Sequence, residues 1–301
     1  MKQNIQSSLS GRLLLLWALL LPIAVSSQTT LQVVSKNFAK TIDWKKGVEL
    51  IINCEKAEVV IEPSDALSIN VKAELSARHP SLDTATSDVE TWQFVTSVIG
   101  KKIYIRAYLG LVGGKKAPVS NMKAKIVVHA PKSCSIELNN KFGKAFISQL
   151  DGGLVLNGSF CSFHLTDLGG KVKVESQYGD IDVKNLKGTL EVQSKRANVH
   201  LNTIAGDCTV TSEYGKIEVE TSPEMANLKV NGNKSEVVLH NTANIPHNIS
   251  LATEYGQITA PANFDKPTST DNTQRAIRTA LQQFSKVEII TSFANIILDQ
   301  P

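Results

Sequence analysis

IDVKNLKGTLEVQSKRANVHL, residues 181–201, decides the fold. Ile181 and Val183 flank a polar residue; nine positions on stand Leu190 and Val192, and nine further Val199 and Leu201. A spacing of two is the strand period, so each pair shares one face and the residue between points the other way. Extended outward, the first position of each unit holds Ile136, Ala145, Leu154, Phe163, Val172, then after this stretch Cys208 and Ile217. The second position holds Leu138, Ile147, Leu156, Leu165 and Val174 before it, and Val210 and Val219 after it. All are apolar in a chain that is 42% apolar, which chance does not produce.

A second rhythm sets the size of one coil. Leu150-Asp151-Gly152, Leu168-Gly169-Gly170, Leu186-Lys187-Gly188 and Ile204-Ala205-Gly206 recur every 18 residues. The glycines suit turns with positive φ, and the leucines plug a corner. Because like stacks on like in a solenoid, the chain reads as an all-β, single-stranded β-solenoid (β-helix) of 18-residue coils, two short strands and two turns each. Phe142-Gly143, Tyr178-Gly179 and Tyr214-Gly215 recur every 36 residues and continue less regularly with Tyr255-Gly256 and Phe293-Ala294, after insertions near Pro223 and Ala243.

The flanks are read more coarsely. Residues 1–27 have the pattern of a signal peptide: Lys2 and Arg12, an apolar run from Leu13 to Val25, then small residues Ala24, Ser26 and Ser27. Cleavage is expected before Ser27 or Gln28, with no lipoprotein cysteine, and no later apolar run gives the mature chain an integral membrane segment. Residues 28–301 are then one domain, with opening coils at 29–77, an insertion or cap at 78–122, regular coils at 123–260 and an irregular closing segment at 261–301. In the insertion, Ser87-Asp88-Val89-Glu90 resembles a helix capping box, and Phe94 to Ile99 with Ile103 to Ala107 form a hairpin about Gly100. A C-terminal helix is expected from Asp271 to Phe284, with Ile277, Leu281 and Phe284 on one face, followed by strand from Val287 to Leu298.

These residues also carry a resemblance. Repeated aromatic-Gly-x-Ile-x-Val units and the closing Thr291-Ser292-Phe293-Ala294-Asn295-Ile296 resemble the bacterial putative-adhesin domain of unknown function, related to the auto-transporter adhesin head domain family, over residues 45–299. The resemblance implies a β-solenoid and brings no catalytic, cofactor-binding or metal residues with it.

Candidate sites follow from the repeat. The 18-residue coil puts Phe146, His164, Asp182, His200 and Glu218 in one outward column. It reads as a surface pairing ladder, or as a metal site on His164, Asp182 and His200. The aromatic column Phe142, Tyr178, Tyr214, Tyr255 and Phe293 reads as a stabilised corner, or as a stacking platform for sugars. Of the four cysteines, Cys161 and Cys208 lie too many coils apart to bridge, and Cys134 and Cys161 fall on opposite faces. Cys54 with Cys134 stays geometrically open; mostly free, buried thiols are expected. Asp83-Thr84-Ala85 resembles an acceptor motif for O-glycosylation of exported bacterial proteins, and a solvated helix start explains it equally well.

Function is bounded by composition. Without the leader, 30 basic face 28 acidic side chains, which argues against a nucleic-acid partner. The expected function is a non-catalytic, exported (periplasmic, cell-surface or secreted) adhesin-like binding or structural module, with an envelope protein or a glycan as partner and no cofactor. The alternatives are a polysaccharide-active enzyme of β-helix type, which needs long loops and paired carboxylates or a calcium cluster, and an envelope accessory or sensor protein binding a protein partner.

Overall fold

In the middle of the computed structural model, strands lie in parallel register on residues 18 positions away: Phe163, Ile181 and Val199 align, as do Val172, Leu190 and Cys208. The structure describes residues 30–110, 116–240, 248–261, 264, 267–279 and 285–299, and its compact unit begins at Gln32. The expected leader lies outside the described residues.

The regular coils run through β8 (Ser135–Ser148), β9 (Leu154–Gln177), β10 (Ile181–Lys195), β11 (Val199–Glu220) and β12 (Met225–His240). Alternation places Ile181, Val183, Leu190 and Val192 inside, all buried, with their polar neighbours outside. Leu150, Leu168, Leu186 and Ile204 are buried as well, and the ladder continues through this corner with Leu186 on Leu168 and Ile204 on Leu186. The insertion near Pro223 changes the register from 18 to 20 residues, so that Asp207 pairs with Asn227.

The ends depart from chain order. The coil made of β2 (Glu49–Glu55) and β3 (Ala57–Ser64) stacks on β8, and β6 (Lys102–Leu109) with β7 (Asn121–Pro131) stacks on its other side. Beyond them, β5 (Trp92–Ile99) closes β6, while β4 (Ser68–His79) and then β1 (Gln32–Asp43) close β7, all antiparallel. Within 29–77, therefore, only residues 49–64 form a coil, and within 78–122 the second strand of the expected hairpin is half of another coil. The far end repeats the device. The closing strands β17 (Lys286–Ser292) and β18 (Ile296–Asp299) slip between β12 and the pair β13 (Asn248–Glu254) and β14 (Ile258–Thr259).

Two helix expectations change. The helix α1 spans Leu82–Val89, and Ser81 caps it by accepting the Thr84 amide at 3.3 Å. Ser87 and Asp88 thus lie in its last turn, where Asp88 accepts the Val119 and Ser120 amides instead of starting a helix. No helix forms over 271–279. Thr273–Arg278 is strand β16, antiparallel to β13 on one side and to β15 (Thr268–Thr270) on the other. Ile277, expected on a buried helix face, is exposed, while Ala276 is buried. The edge of β13 offers backbone groups that a strand satisfies and a helix cannot, and this outweighs the local periodicity. Leu281 and Phe284 lie outside the described residues.

The glycine that follows Phe142, Tyr178, Tyr214 and Tyr255 answers a close approach. A Cβ on Gly179 would lie 2.2 Å from the Cys161 carbonyl oxygen of the neighbouring layer, and one on Gly143 would lie 1.9 Å from that of Ala57. Gly179→Ala is expected to lower stability by about 1–3 kcal/mol, as overpacking does. Ala197→Gly, at the same corner one layer on, should cost less. Denaturant midpoints of the two variants measure this, and equal midpoints would contradict the packing described.

Candidate functional site

Three outward features run across the layers: a stack at the corner between the faces, a groove beside it and a column on the other face. At this corner one residue per coil adopts positive φ: Lys56, Phe142, Phe160, Tyr178, Arg196, Tyr214, Lys234, Phe293 and Tyr255, all between 51° and 60°. For L-residues that conformation costs roughly 1–2 kcal/mol each. Their side chains offset it by stacking. Phe142, Phe160 and Tyr178 are nearly parallel, with centroids 5.2 and 4.7 Å apart. Arg196 lies 5.5 Å from the Tyr178 ring centre and 5.7 Å from that of Tyr214. Lys234 lies between Tyr214 at 5.1 Å and Phe293 at 5.9 Å, and Phe293 stacks on Tyr255 at 4.8 Å. Arg196 and Lys234 also donate to the hydroxyls of Tyr178 and Tyr214, each at 3.2 Å. Such contacts contribute about 0.5–1.5 kcal/mol per ring pair and about 0.5–1 kcal/mol per exposed cation–π pair.

The aromatic column of the sequence is therefore real but denser. Its 36-residue spacing hid Phe160 and Arg196, which the 18-residue coil would have found, and Lys234, which the shift to a spacing of 20 moves off that period. Along the stack the ring faces meet one another or the cations of Arg196 and Lys234.

Beneath the corner, small polar residues hold the backbone. Ser176 donates to the Gly179 carbonyl at 2.7 Å, Thr253 to that of Ala294 at 2.7 Å, and Thr291 to Thr253 at 2.8 Å. Where Gly158 stands in this row, a Cβ would lie 2.6 Å from the ring of Phe163, a fully buried side chain.

Beside the corner runs a groove of about 1460 Å³ that crosses the layers from β6 to β16. Its wall is an amide ladder: Asn139 donates to Asn53 at 2.9 Å and Asn157 to Asn139 at 2.8 Å. Gln193, Thr211 and Asn231 continue the wall. Arg106, Lys141, Lys195 and Arg275 balance Glu55, Glu175, Glu213 and Glu254 among its lining residues. Three of these carboxylates are engaged, Glu175 by Lys173 at 2.7 Å, Glu213 by Lys195 at 2.9 Å and Glu55 by the Leu109 amide at 2.7 Å. Two buried atoms among the lining residues, Asn140 Oδ1 and Ser194 Oγ, have no hydrogen-bond partner. Nothing in the sequence reading singled out this groove, although asparagines 18 positions apart at 139 and 157 marked its wall.

The histidine column lies on the other face, over a smaller hollow of about 380 Å³. Phe146 stacks on His164 at 4.9 Å, His164 Nδ1 meets Asp182 at 2.9 Å, and His200 Nδ1 meets the other Asp182 oxygen at 3.4 Å. His200 Nε2 contacts Glu218, which also pairs with Lys216. Both His200 nitrogens thus face carboxylates, the geometry of a pairing ladder. Among the described residues no group of three or more His, Cys, Asp or Glu is arranged to hold a metal ion. Lys216 first, then His200, holds the Glu218 carboxyl below the usual carboxylate range.

All four cysteines are free and buried. Cys54 aligns with Asn140, six residues along the strand from Cys134, or about 20 Å, so no bridge is possible. Burial pushes the Cys134 and Cys161 thiols up to about 11 and Cys208 to about 12, and raises Cys54 as well. These are inert packing groups.

The family model described as Toastrack DUF4097 matches residues 48–296. Crystal structures with a similar chain course include a "putative adhesin" of Bacteroides fragilis, 11% identical, covering 88% of this chain and 97% of its own, with a TM-score of 0.45. A "putative adhesin" of Parabacteroides distasonis is 14% identical, with coverage of 89% and 97% and a TM-score of 0.43. No curated protein matches the chain.

Two outcomes follow from the columns. Tyr178→Ala keeps the positive-φ cost and loses the ring, whereas Tyr178→Gly loses the ring and relieves the cost. The Ala variant should therefore unfold more easily than the Gly variant, by about 1 kcal/mol, in urea titrations. Glu218 binds its proton less readily folded than unfolded, so it stabilises the fold above the ordinary carboxylate range and that contribution fades as pH falls. Glu218→Gln should show a smaller drop in Tm than the wild type between about pH 5 and about pH 3; an unchanged acid limb would refute the assignment.

Proposed function

The chain belongs to the Toastrack DUF4097 family, and on that premise we propose that it is an exported, non-catalytic, adhesin-like module that holds an envelope partner in its polar groove. The observation that carries this reading is the groove itself, continuous over the stacked coils and walled by amides and hydroxyls. Its repeated chemistry suits contacts spread along an extended partner more than work on a single bond. Three of its four carboxylates already serve as partners to Lys173, Lys195 and the Leu109 amide, which leaves no free pair for acid–base hydrolysis. Export rests on the Lys2–Ser27 pattern of the sequence. Among the described residues no helix is long and apolar enough to cross a membrane.

The test is fractionation of cells producing the full chain with a C-terminal tag, followed by N-terminal sequencing and crosslinking in intact cells. A mature chain beginning at Ser27 or Gln28, outside the inner membrane and crosslinked to an envelope component, is expected. An uncleaved cytoplasmic chain, or turnover of a polysaccharide by the purified protein, would overturn the reading.

A further inference from the structure

We infer that the groove binds a linear, uncharged polysaccharide laid across the layers, with about one sugar unit per coil; this deepens the proposed binding role and rests on it. Four features of the groove lead there. The first is repeat. The wall presents a polar side chain at every coil from Asn53 to Asn231, and coils follow at about 4.8 Å. That step is close to the advance of one hexose unit along an extended β-linked chain, so a polymer of sugars can meet equivalent groups repeatedly without strain.

The second is chemical type. Asn139 spends both amide hydrogens, on Asn53 and Glu137, and accepts from Asn157, whereas the second amide hydrogen and the oxygen of Asn157 are left for a ligand. Gln193, Thr211 and Asn231 extend the same mixture of donors and acceptors. A sugar hydroxyl is both donor and acceptor and can satisfy either.

The third is charge. Four cationic and four anionic residues line the groove, and most of the anionic ones are already paired. A polyanion such as a nucleic acid or a sulfated glycan gains no net attraction there. The fourth is the backbone. The wall strands are hydrogen-bonded to neighbours on both sides, so a peptide could not be captured as an added strand. A glycan needs only the side chains.

Titration calorimetry with soluble xylo-, cello-, manno- and chito-oligosaccharides of increasing length tests this on the folded mature protein. At least one series should bind, with affinity rising with length and little changed by added salt. Gln193→Leu with Thr211→Val, at exposed positions outside the core, should weaken binding at least about tenfold while leaving the unfolding midpoint in place. Heparin and an unstructured Gly/Ser/Ala peptide serve as comparison ligands. No binding in any neutral series, affinity independent of length, preference for heparin or the peptide, or a double variant that is folded yet binds unchanged would each overturn the assignment. The two claims fail separately. An exported chain crosslinked to an envelope protein but blind to every sugar removes only the glycan, whereas cytoplasmic residence removes the binding role beneath it.

Discussion

The amide of Phe163 donates to the Asp180 carbonyl at 2.9 Å, and the same layer contact seats Phe163 beneath Ile181. Backbone pairing and side-chain stacking are thus one interaction repeated every 18 residues. A coil has no interior of its own; its apolar side chains become buried only when the next coil lies over them in register. Everything outward inherits that register. The amide ladder, the aromatic-cation stack and the His–carboxylate column are each the surface image of residues that the buried aliphatics hold one layer apart.

Stacking leaves an open edge at each end, and the chain treats both alike. Its first coil, residues 49–64, and its last, residues 286–299, are each covered by a coil from further inside the sequence. Antiparallel strands then finish the stack, β5 with β4 and β1 at one end and β16 with β15 on the wall side of the other. Antiparallel closure blocks further parallel addition, the usual hazard of an exposed sheet edge.

The corner column joins local strain to surface chemistry. A sharp turn that keeps parallel pairing needs positive φ, and ordinarily glycine would supply it. Here the turn uses large side chains, and at 143, 179, 215 and 256 glycine stands one place later, where the neighbouring carbonyl leaves no room for a Cβ. The rings are held by one another and by Arg196 and Lys234, so the corner is a rigid border to the groove beside it. The groove walls stand on strands rather than loops, which suits recognition by many weak, evenly spaced contacts.

From the sequence alone, the inward columns, the coil length, the Leu186-type corner, the hairpin about Gly100 and the contacts of His164, Asp182 and His200 could be derived. All depend on residues a fixed number of positions apart. Period 18 in sequence becomes adjacency in space wherever the coils are regular. Tertiary structure alone decided what lacks that regularity. The order of coils at the ends joins strands far apart in the chain, and no local pattern in 286–299 says that it lies inside 248–259. Residues 273–278 carry spacing suited to a helix and become a strand because β13 presents an unpaired edge. The groove, too, was beyond a reading of single positions, since it exists only where the bend at the corner turns a column of modest polar residues into a wall.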